Sequence, residues 1–574
     1  MRILGISAFH RDAAAALVVD GVPVAAAQEE RFTRKRLDPA FPKRAIRYCL
    51  RAARIDSHAL DHVVFYEKPL RRFERMLVTQ LKAFPRSARI FSRSMFLWLG
   101  DRLWMKNRIV DELAIEPSRV LFTEHQAAHA ASAFFASPFE EAAILTVDDA
   151  GEWATTALGR GSASGVEILS ETYFPHSLGL LVSAITQFLG FEPGADEDKV
   201  EALAALGKPR LRAAIEELVP AGEDGGFTVD ASRFRFAFDP DRLVDERLEE
   251  LLGPARRPGS PLRIGAQDPR DADLAASLQE VLEDRLLALA VELARRVPSE
   301  NLCYAGEVAR NRRANARLLA DGPFRRMFIP PAPGEAGAAL GAALLAHALL
   351  SETAGALGAL RTPRAAAATA TFLGEDVDGD QNEDGRALAG ENAVVDEILR
   401  RVLDGQAVGW VRGRMELGPR SLGNRSILAD PRNAEARANV LRSIKKAEEF
   451  LPGTLAVTAE QALDLFEIPP GGGWPLRFGQ LAVRCRDGAR ETLAGALLPD
   501  GTAWIQTVEA EHDPAFHRLL ERFGRESDGP PVLLHETLSL RGSPMVRTGP
   551  EAVELLRRST LDCLVVADWL YEAS

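Results

Sequence analysis

One order of predicted strands and turns occurs twice in the chain, and this repeat constrains the fold more than any other feature. The first copy consists of predicted strands at residues 2–7, 13–19 and 22–28. The second consists of predicted strands at residues 144–147, 153–159 and 166–174. In each copy a polar or acidic turn follows the first strand and a tight turn, such as Asp20-Gly21, joins the other two. Since helices follow each copy, the repeat predicts two related α/β halves.

Actin and the sugar kinases combine two such halves into one domain that binds a nucleotide between them, and we expect the same duplicated fold here. We expect this first domain to span residues 1–352. Residues 353–388 are rich in Ala, Gly and Asp and have little periodicity, which predicts a linker. A second α/β domain should then span residues 389–574.

The charge balance and the cysteines restrict the functional class. The 574 residues include 70 basic and 82 acidic side chains, a net charge of −12, which argues against a broad surface for nucleic acid. The four cysteines show no Cys-x-x-Cys spacing, so neither a zinc knuckle nor a disulfide framework is expected. Because the sequence shows no leader and no apolar run of membrane length, we expect a cytoplasmic protein without a membrane partner.

Two histidines one helical turn apart precede a strand that ends in carboxylates. Residues 124–135 are rich in alanine and contain no helix breaker, so His125 and His129 should share one helix face. Residues 143–147 form a buried strand that ends at Asp148. Two imidazoles and a strand-end carboxylate suit a divalent metal. The alternative is a pair of structural histidines, because short motifs often match by chance.

Two further segments have compositions typical of ligand sites. A proline-rich turn enters a helix of small residues that begins near Glu335, whose carboxylate either binds a ligand or complements the helix dipole. The loop 412–426 places Arg420, Ser421 and Arg425 among glycines, which suits phosphate binding. An ordinary basic loop has the same composition, so both alternatives stay open for each segment.

Along nearly its full length the chain resembles the NodU/CmcH/TobZ group of O-carbamoyltransferases. The matching segments are residues 9–12 (FHRD), 28–35 (QEERFTRK), 125–129 (HQAAH), 146–155 (TVDDAGEWAT), 174–179 (FPHSLG), 333–337 (PGEAG), 416–428 (ELGPRSLGNRSIL) and 430–432 (DPR). The resemblance implies a TsaD-like N-terminal domain of the actin type and a YrdC-like C-terminal domain. It also implies that the YrdC-like site forms carbamoyl-adenylate from ATP and carbamoyl phosphate. The N-terminal site would then pass the carbamoyl group to a hydroxylated small-molecule acceptor.

The resemblance implies roles for individual residues. A divalent metal, with iron expected first, would be bound by His125, His129, Asp148 and, where the family has an Asp, Glu335. His10 resembles the general base that takes the acceptor proton, and Asp12 is the second catalytic candidate, although Arg11 separates the two here. ATP and carbamoyl phosphate would be contacted by Lys199, Gly306, Asn311, Arg420, Ser421, Arg425, Lys445 and Arg541.

Several site motifs depart from the family pattern. The family's Gly-Gly turn is Gly306-Glu307 here, its Lys-x-Arg-Glu motif has Ala447 in place of Arg, and its Asn-Thr-Ser-Phe-Asn segment is residues 535–539 (HETLS). A carboxylate about 5 Å from a phosphate would cost roughly 3 kcal/mol. Pairing of Glu307 with Arg310 would offset this repulsion.

Three hypotheses follow from the motifs and their departures. The first is a working O-carbamoyltransferase, which acts alone, as a homodimer or with a paralogous carbamoyltransferase. The second is a degenerate paralogue that serves as a partner or regulatory subunit. The third, tRNA modification, is disfavoured by the net negative charge.

Overall fold

The computed structural model describes residues 1–239, 241–353, 371–377 and 385–573. Within these ranges, no helix combines the length and the apolar composition that crossing a bilayer requires. All four cysteines are buried with free thiols.

The first half of the predicted repeat forms a five-stranded sheet. Its strands are Arg2–Ser7 (β1), Ala14–Val19 (β2), Val22–Gln28 (β3), His62–Phe65 (β4) and Val120–Phe122 (β5). They lie in the order β3-β2-β1-β4-β5. β1, β2 and β3 are an antiparallel meander, whereas β4 runs parallel to β1 and β5 parallel to β4.

The second half repeats this topology. Its strands are Ala142–Val147 (β6), Ala154–Ser162 (β7), Gly165–Tyr173 (β8), Asn301–Ala305 (β9) and Arg326–Phe328 (β10). The order β8-β7-β6-β9-β10, with β6 to β8 antiparallel and β9 and β10 parallel, matches the first sheet strand for strand. The predicted duplicated α/β fold of the actin type is therefore confirmed.

Helices connect and cover these two sheets. They are Glu30–Thr33 (α1), Lys43–Ala52 (α2), Pro69–Lys82 (α3), Ala88–Gly100 (α4), Met105–Leu113 (α5), His125–Phe134 (α6), Leu178–Phe188 (α7), Glu197–Ala204 (α8), Arg212–Leu218 (α9), Glu246–Leu252 (α10), Arg270–Arg296 (α11), Arg312–Asp321 (α12) and Glu335–Thr353 (α13). α11 buries an apolar stripe of Leu278, Leu282, Leu286 and Leu293 at helical spacing, which is why this long segment is helical.

The remainder of the chain forms a ten-stranded mixed sheet with its own helices. The strands are Arg386–Ala387 (β11), Val408–Val411 (β12), Arg425–Ala429 (β13), Thr454–Thr458 (β14), Phe466–Glu467 (β15), Leu481–Cys485 (β16), Thr502–Val508 (β17), Val532–Thr537 (β18), Cys563–Val566 (β19) and Trp569–Glu572 (β20). Their order is β11-β20-β19-β12-β13-β18-β14-β17-β16-β15. The helices are Glu391–Leu403 (α14), Ala434–Ala438 (α15), Ala459–Leu465 (α16), Gly473–Arg477 (α17), Asp487–Leu493 (α18), Pro514–Glu526 (α19) and Gly549–Arg558 (α20). The C-terminal part is thus also α/β.

The described part of the predicted linker is folded. Leu373 is buried against the first half of the repeat, and its carbonyl oxygen accepts a hydrogen bond of 3.0 Å from the Ala26 N–H. Farther along the chain, β11 extends the ten-stranded sheet by pairing with β20. The domain boundaries at residues 352 and 389 stay a prediction.

Small residues bring α6, α13 and β1 together at backbone distance. A Cβ atom added at Gly341 of α13 would lie 1.9 Å from the Ala128 carbonyl oxygen of α6. A Cβ atom added at Gly5 of β1 would lie 1.9 Å from the Ala339 carbonyl oxygen of α13. Glycine alone allows this approach. The packing therefore fixes the start of α13 relative to α6.

We expect the Gly341→Ala variant to lose about 3 kcal/mol of folding free energy, the upper part of the usual cost of overpacking, because its methyl group overlaps the Ala128 carbonyl. Chemical denaturation followed by circular dichroism measures this loss. The matched control is Gly488→Ala in α18, where an added Cβ meets no atom within 4 Å. Equal unfolding free energies for the two variants would contradict the close packing of α6 and α13.

Candidate metal centre and interdomain cleft

Four buried side chains converge where three elements begin or end. His125 and His129 lie in the first turns of α6, Asp148 follows β6, and Glu335 begins α13. Their ligand atoms all lie within 4.8 Å of one another. His125 Nε2 is 2.6 Å and His129 Nε2 is 3.2 Å from Asp148 Oδ2. The structure thus brings together all four residues that the sequence predicts as metal ligands.

Hydrogen bonds to the backbone orient the two histidines. His129 Nδ1 is 3.2 Å from the Pro333 carbonyl oxygen, so a proton donated there leaves Nε2 to face the cluster. The Glu152 carboxylate accepts hydrogen bonds of 3.2 Å from the His125 N–H and so stabilises the start of α6. The His129 imidazole is therefore oriented before any ligand binds, and the backbone that carries His125 is anchored.

The electrostatics of the cluster fit a divalent cation. Burial opposes ionisation of Asp148 and Glu335, but the neighbouring imidazoles outweigh it and lower the pKa of Asp148 well below its usual value and that of Glu335 to about 2. Burial opposes protonation of His125 too, yet Glu335 and Asp148 raise its pKa to about 9. Among the described residues, Glu335 Oε2 is buried without a hydrogen-bond partner. Carboxylates, imidazoles and an unpaired buried oxygen form a suitable donor set.

His10 and Asp12 have different surroundings. His10 Nδ1 lies 3.0 Å from Glu335 Oε1, and 20% of the His10 side chain is exposed, so His10 lies between the cluster and solvent. Asp12 is buried, and its carboxylate accepts hydrogen bonds of 3.0 and 2.9 Å from Gln28 Nε2. Burial and then the Glu30 carboxylate raise the pKa of Asp12 to about 7. Of the two catalytic candidates, His10 is the one placed for proton transfer beside the cluster.

A cavity of about 400 Å³ lies between the N-terminal halves and the ten-stranded sheet. Its lining includes six residues that the sequence predicts to be functional: Asp12, Lys199, Arg420, Ser421, Lys445 and Arg541. Pro333 and Gly334, which directly precede Glu335, line the same cavity. The cavity therefore extends from the predicted phosphate ligands to the start of α13.

Three arginines crowd one wall of this cavity. The Gly479 carbonyl oxygen accepts hydrogen bonds from Arg420 Nη1 at 2.7 Å and from Arg312 Nε at 3.1 Å. Burial, followed by the charges of Arg312 and Arg310, lowers the pKa of Arg420 well below its usual value. The nearest carboxylate to Arg312 is Glu201, at 3.9 Å. An anion bound beside these guanidinium groups would relieve both their burial and their mutual repulsion.

The loop 412–426 is built around the buried carboxylate of Glu416. Its Oε1 atom accepts hydrogen bonds of 2.8 Å from the N–H groups of Leu422 and Asn424 and one of 3.1 Å from the Ser421 hydroxyl. Converging N–H groups of this kind normally bind an anion, and here the anion is the Glu416 carboxylate of the loop itself. Glu416 therefore holds the backbone that carries Arg420 and Ser421.

Arg425 does not reach the cavity. Its guanidinium donates hydrogen bonds to the backbone carbonyl oxygens of residues 375, 412, 413, 424 and 547, and its side chain is fully buried. The structure therefore does not place Arg425 among the predicted phosphate ligands. Sequence composition could not reveal this, because a basic residue that braces a loop and one that faces a ligand look alike.

His535 stands where the family pattern has an Asn and joins a chain of buried hydroxyl groups. Its Nε2 atom is 2.9 Å from Ser426 Oγ, which lies 2.7 Å from Ser421 Oγ. Burial, and then the charge of Arg412, lowers the pKa of His535 to about 3. The imidazole is therefore neutral and polar, like the amide that it replaces.

The remaining predicted cations already have protein partners. Lys445 Nζ donates to the Ser539 hydroxyl at 2.8 Å, and burial lowers the pKa of Lys445. Lys199 pairs with Glu448 across the cleft at 2.9 Å, and Arg541 lies 3.8 Å from the same carboxylate. A phosphate group that binds here must compete with these partners.

Glu307 stands where the family's Gly-Gly turn has its second glycine, and it links the cavity to the candidate metal centre. Its N–H donates to Asp148 Oδ1 at 3.1 Å, and its carboxylate accepts a hydrogen bond of 3.3 Å from the Glu335 N–H. Arg310 Nη1 lies 2.9 Å from the Glu307 carboxylate, which confirms the predicted pairing. The added negative charge is therefore compensated within the chain.

Gly306 and Asn311 support the backbone around Glu307. Gly306 has φ of 95°, and a Cβ atom there would lie 2.1 Å from the Val147 carbonyl oxygen, so glycine is required. Asn311 lies at the N-terminal cap of α12 rather than within the helix, and its Oδ1 accepts a hydrogen bond of 2.9 Å from the Ala314 N–H. In this structure both residues shape the turn beside the cavity.

Two family models cover most of the chain. The model described as carbamoyltransferase N-terminus matches residues 2–344, and the model described as carbamoyltransferase C-terminus matches residues 399–573. The chain belongs to the carbamoyltransferase family.

Known proteins similar to this carbamoyltransferase include enzymes and uncharacterized proteins. It is 38% identical to an uncharacterized protein of Synechocystis sp., with 99% of this chain and 96% of that protein covered. It is 32% identical to nodulation protein NolNO of Sinorhizobium fredii, with 98% of this chain and 79% of NolNO covered. It is 27% identical to the 3'-hydroxymethylcephem-O-carbamoyltransferase of Amycolatopsis lactamdurans, with 64% and 66% covered. The resemblance drawn from the motifs is confirmed.

Three residues that shape the candidate site were not predicted from the sequence. Glu152 and Glu416 lie inside the segments that carry the resemblance, and that position was the available signal. The sequence contains no comparable signal for Arg312, because Arg420 and Gly479, which lie beside it in the structure, are distant in sequence.

We expect the His129→Ala variant to bind Mn²⁺ at least about tenfold more weakly than the unaltered protein, because it lacks one of four ligands. The matched control is His58→Ala, which removes an exposed histidine. Metal titration of the apoprotein, with bound ion measured by mass spectrometry, gives both affinities. Binding should also tighten from pH 7 to 9, because the metal must displace a proton from His125, whose pKa is about 9. An unchanged affinity in His129→Ala, or weaker binding at pH 9, would contradict this assignment.

Proposed function

We propose that this carbamoyltransferase is an ATP-dependent O-carbamoyltransferase that acts on a hydroxyl of a small molecule such as a natural product or a sugar. The supporting observation is the single cavity that joins the arginine wall to the residues preceding Glu335. One end offers cations for phosphate groups, and the other is lined by Pro333 and Gly334, which directly precede Glu335 of the four-residue cluster. An intermediate made beside the arginines would therefore lie in the same cavity as the residues that precede Glu335.

The first proposed step makes carbamoyl-adenylate. Carbamoyl phosphate is hydrolysed to carbamate and inorganic phosphate, and a carbamate oxygen then attacks the α-phosphorus of ATP and displaces pyrophosphate. The chain's own contribution is electrostatic, because Arg312 and Arg420 lie close enough to share one carbonyl acceptor. Buried cations held in this way can stabilise the charge that develops on the phosphoryl oxygens.

In the second proposed step the acceptor hydroxyl attacks the carbamoyl carbon and adenylate leaves. His10 takes the hydroxyl proton: with Nδ1 directed at Glu335, its Nε2 is free to act as the base. A divalent ion held by His125, His129, Asp148 and Glu335 would supply Lewis acidity at this position. Glu335 thus has two proposed tasks, as a metal ligand and as the group that orients His10.

Glu307 favours a second candidate function, a degenerate paralogue that regulates or partners an intact carbamoyltransferase. Its carboxylate accepts a hydrogen bond from the Glu335 N–H, so it occupies the N-terminus of α13, where helices otherwise attract phosphate groups. Against this, its pairing with Arg310 reduces the repulsion of a bound nucleotide. We therefore favour the active enzyme and keep the paralogue as the alternative.

For the active enzyme we expect pyrophosphate release from ATP only when carbamoyl phosphate is present. The Arg420→Ala variant should lower the rate about tenfold or more, because it removes one charge-assisted contact to a phosphate group. A coupled assay for pyrophosphate measures both rates in the metal-loaded protein.

The matched control is Arg484→Ala, which removes an exposed arginine of β16. Its rate should equal that of the unaltered protein. Bound ATP without any pyrophosphate release, with or without carbamoyl phosphate, would instead support the degenerate paralogue.

A further inference from the structure

The segment 68–108, which contains the hairpin formed by α3 and α4 and the residues that flank it, has a charge opposite to that of the whole chain. Residues 68–108 contain eleven Lys and Arg but two acidic residues, whereas the net charge of the chain is −12. Six of these cations are exposed to solvent: Arg71, Lys82, Arg86, Arg89, Arg93 and Lys106. Arg71 and Arg93 face carboxylates outside the segment, Glu124 at 2.9 Å and Asp241 at 3.8 Å. The other four exposed cations still make the hairpin a localised positive surface on an acidic protein, and the proposed carbamoyl transfer gives it no role.

The same segment exposes large apolar side chains. Of the fourteen large hydrophobic residues that are exposed in the described part of the chain, seven lie between residues 70 and 104. They are Leu70, Leu81, Phe84, Phe96, Leu97, Leu99 and Trp104. Phe96 is 85% exposed and Leu70 is 72% exposed, so water covers nearly the whole of these side chains. Isolated exposed apolar residues are ordinary, but a concentration of this kind marks an interaction surface.

Cations and apolar groups share one face of α4. Arg89, Arg93, Phe96 and Leu97 follow one another at helical spacing, and all four are exposed. Trp98 faces the other way and is buried, with its ring centroid 5.8 Å from that of Phe73 in α3. The exposed face is therefore a feature of a packed amphipathic helix.

The hairpin is fixed to the rest of the protein. Gln80 Nε2 of α3 donates to Ser94 Oγ of α4 at 2.9 Å. At its base, the guanidinium groups of Arg102 and Arg108 lie 5.3 and 5.4 Å from the ring centroid of Phe9, the residue before His10. The outer face of the hairpin is thus presented in a defined orientation next to the turn that carries His10.

We propose that the outer face of the α3–α4 hairpin binds the surface of a membrane that contains anionic lipids. An interfacial helix needs apolar side chains that enter the acyl region and cations that meet lipid phosphates, and this face supplies both. The charge excess of the hairpin is complementary to an anionic lipid surface and opposite to the charge of the remaining chain. We expected no membrane partner because the sequence has no apolar run of membrane length. That criterion detects helices that span a membrane, but it does not detect helices that lie on a membrane surface.

Lipid matches this surface better than RNA or a protein partner does. RNA would contact the six exposed cations but leave the exposed aliphatic side chains in water. A protein partner would need a complementary apolar surface rimmed with acidic groups, whereas a bilayer interface adapts to any arrangement of the two.

The test is sedimentation of the full-length protein with vesicles of phosphatidylcholine alone and of phosphatidylcholine mixed with phosphatidylglycerol. We expect binding to the mixed vesicles, weaker binding at high salt, and little binding to phosphatidylcholine alone. The Arg89→Ala/Arg93→Ala variant should bind the mixed vesicles about thirtyfold more weakly, because each cation near the surface contributes about fivefold. The Phe96→Glu/Leu99→Glu variant should lose binding.

The matched control is Leu463→Glu, which introduces a charge of the same sign at a 58% exposed leucine of α16. It should bind like the unaltered protein, and all variants should unfold at the same temperature. Failure of the unaltered protein to bind mixed vesicles would overturn the proposal, as would full binding by the Phe96→Glu/Leu99→Glu variant. The proposal would also be overturned if the Phe96→Glu/Leu99→Glu substitutions dissociated an oligomer of the protein, or if the unaltered protein bound RNA in preference to vesicles. The assay involves no catalysis, so its outcome is independent of the proposed carbamoyl transfer.

Discussion

The candidate metal centre depends on the approach of α6 and α13 at backbone distance. Gly341 permits this approach, because any side chain there would overlap the Ala128 carbonyl. His129 on α6 and Glu335 at the start of α13 consequently lie in one cluster, although about two hundred residues separate them in the sequence. Alanine and glycine along these helices are therefore part of the site, since they set the distance between its ligands.

Carboxylates and arginines concentrate in two different regions of the cleft. The cluster at one end combines two ionised carboxylates with imidazoles, whereas Arg312 and Arg420 crowd the other end. Glu307 and Arg310 lie between the two regions and pair with each other. An anionic carbamoyl-adenylate fits this polarity, because its phosphate can face the guanidinium groups while its carbamoyl group faces the cluster. The departures from the family motifs change the cleft without removing either region.

Periodic and duplicated features of the sequence were sufficient to predict much of the fold. The two meanders at residues 2–28 and 144–174 predicted two matching sheets, because strand order and turn chemistry are local properties. The His125 and His129 spacing likewise predicted a shared helix face. The role of a basic residue is not local: Arg425 braces a loop, whereas Arg420 on the same loop lines the cavity. The carbonyl oxygens that lie nearby decide between the two roles, and some of them, at residues 375, 479 and 547, come from distant segments.

We propose that one ion is held jointly by two imidazoles and two carboxylates from separate elements. X-ray absorption spectroscopy of the Mn²⁺-loaded protein, compared with the His129→Ala variant, tests this proposal. We expect a first shell of nitrogen and oxygen with the outer-shell scattering of two imidazoles, reduced to one imidazole in the variant. A shell of oxygen alone, or identical spectra for the two proteins, would contradict it.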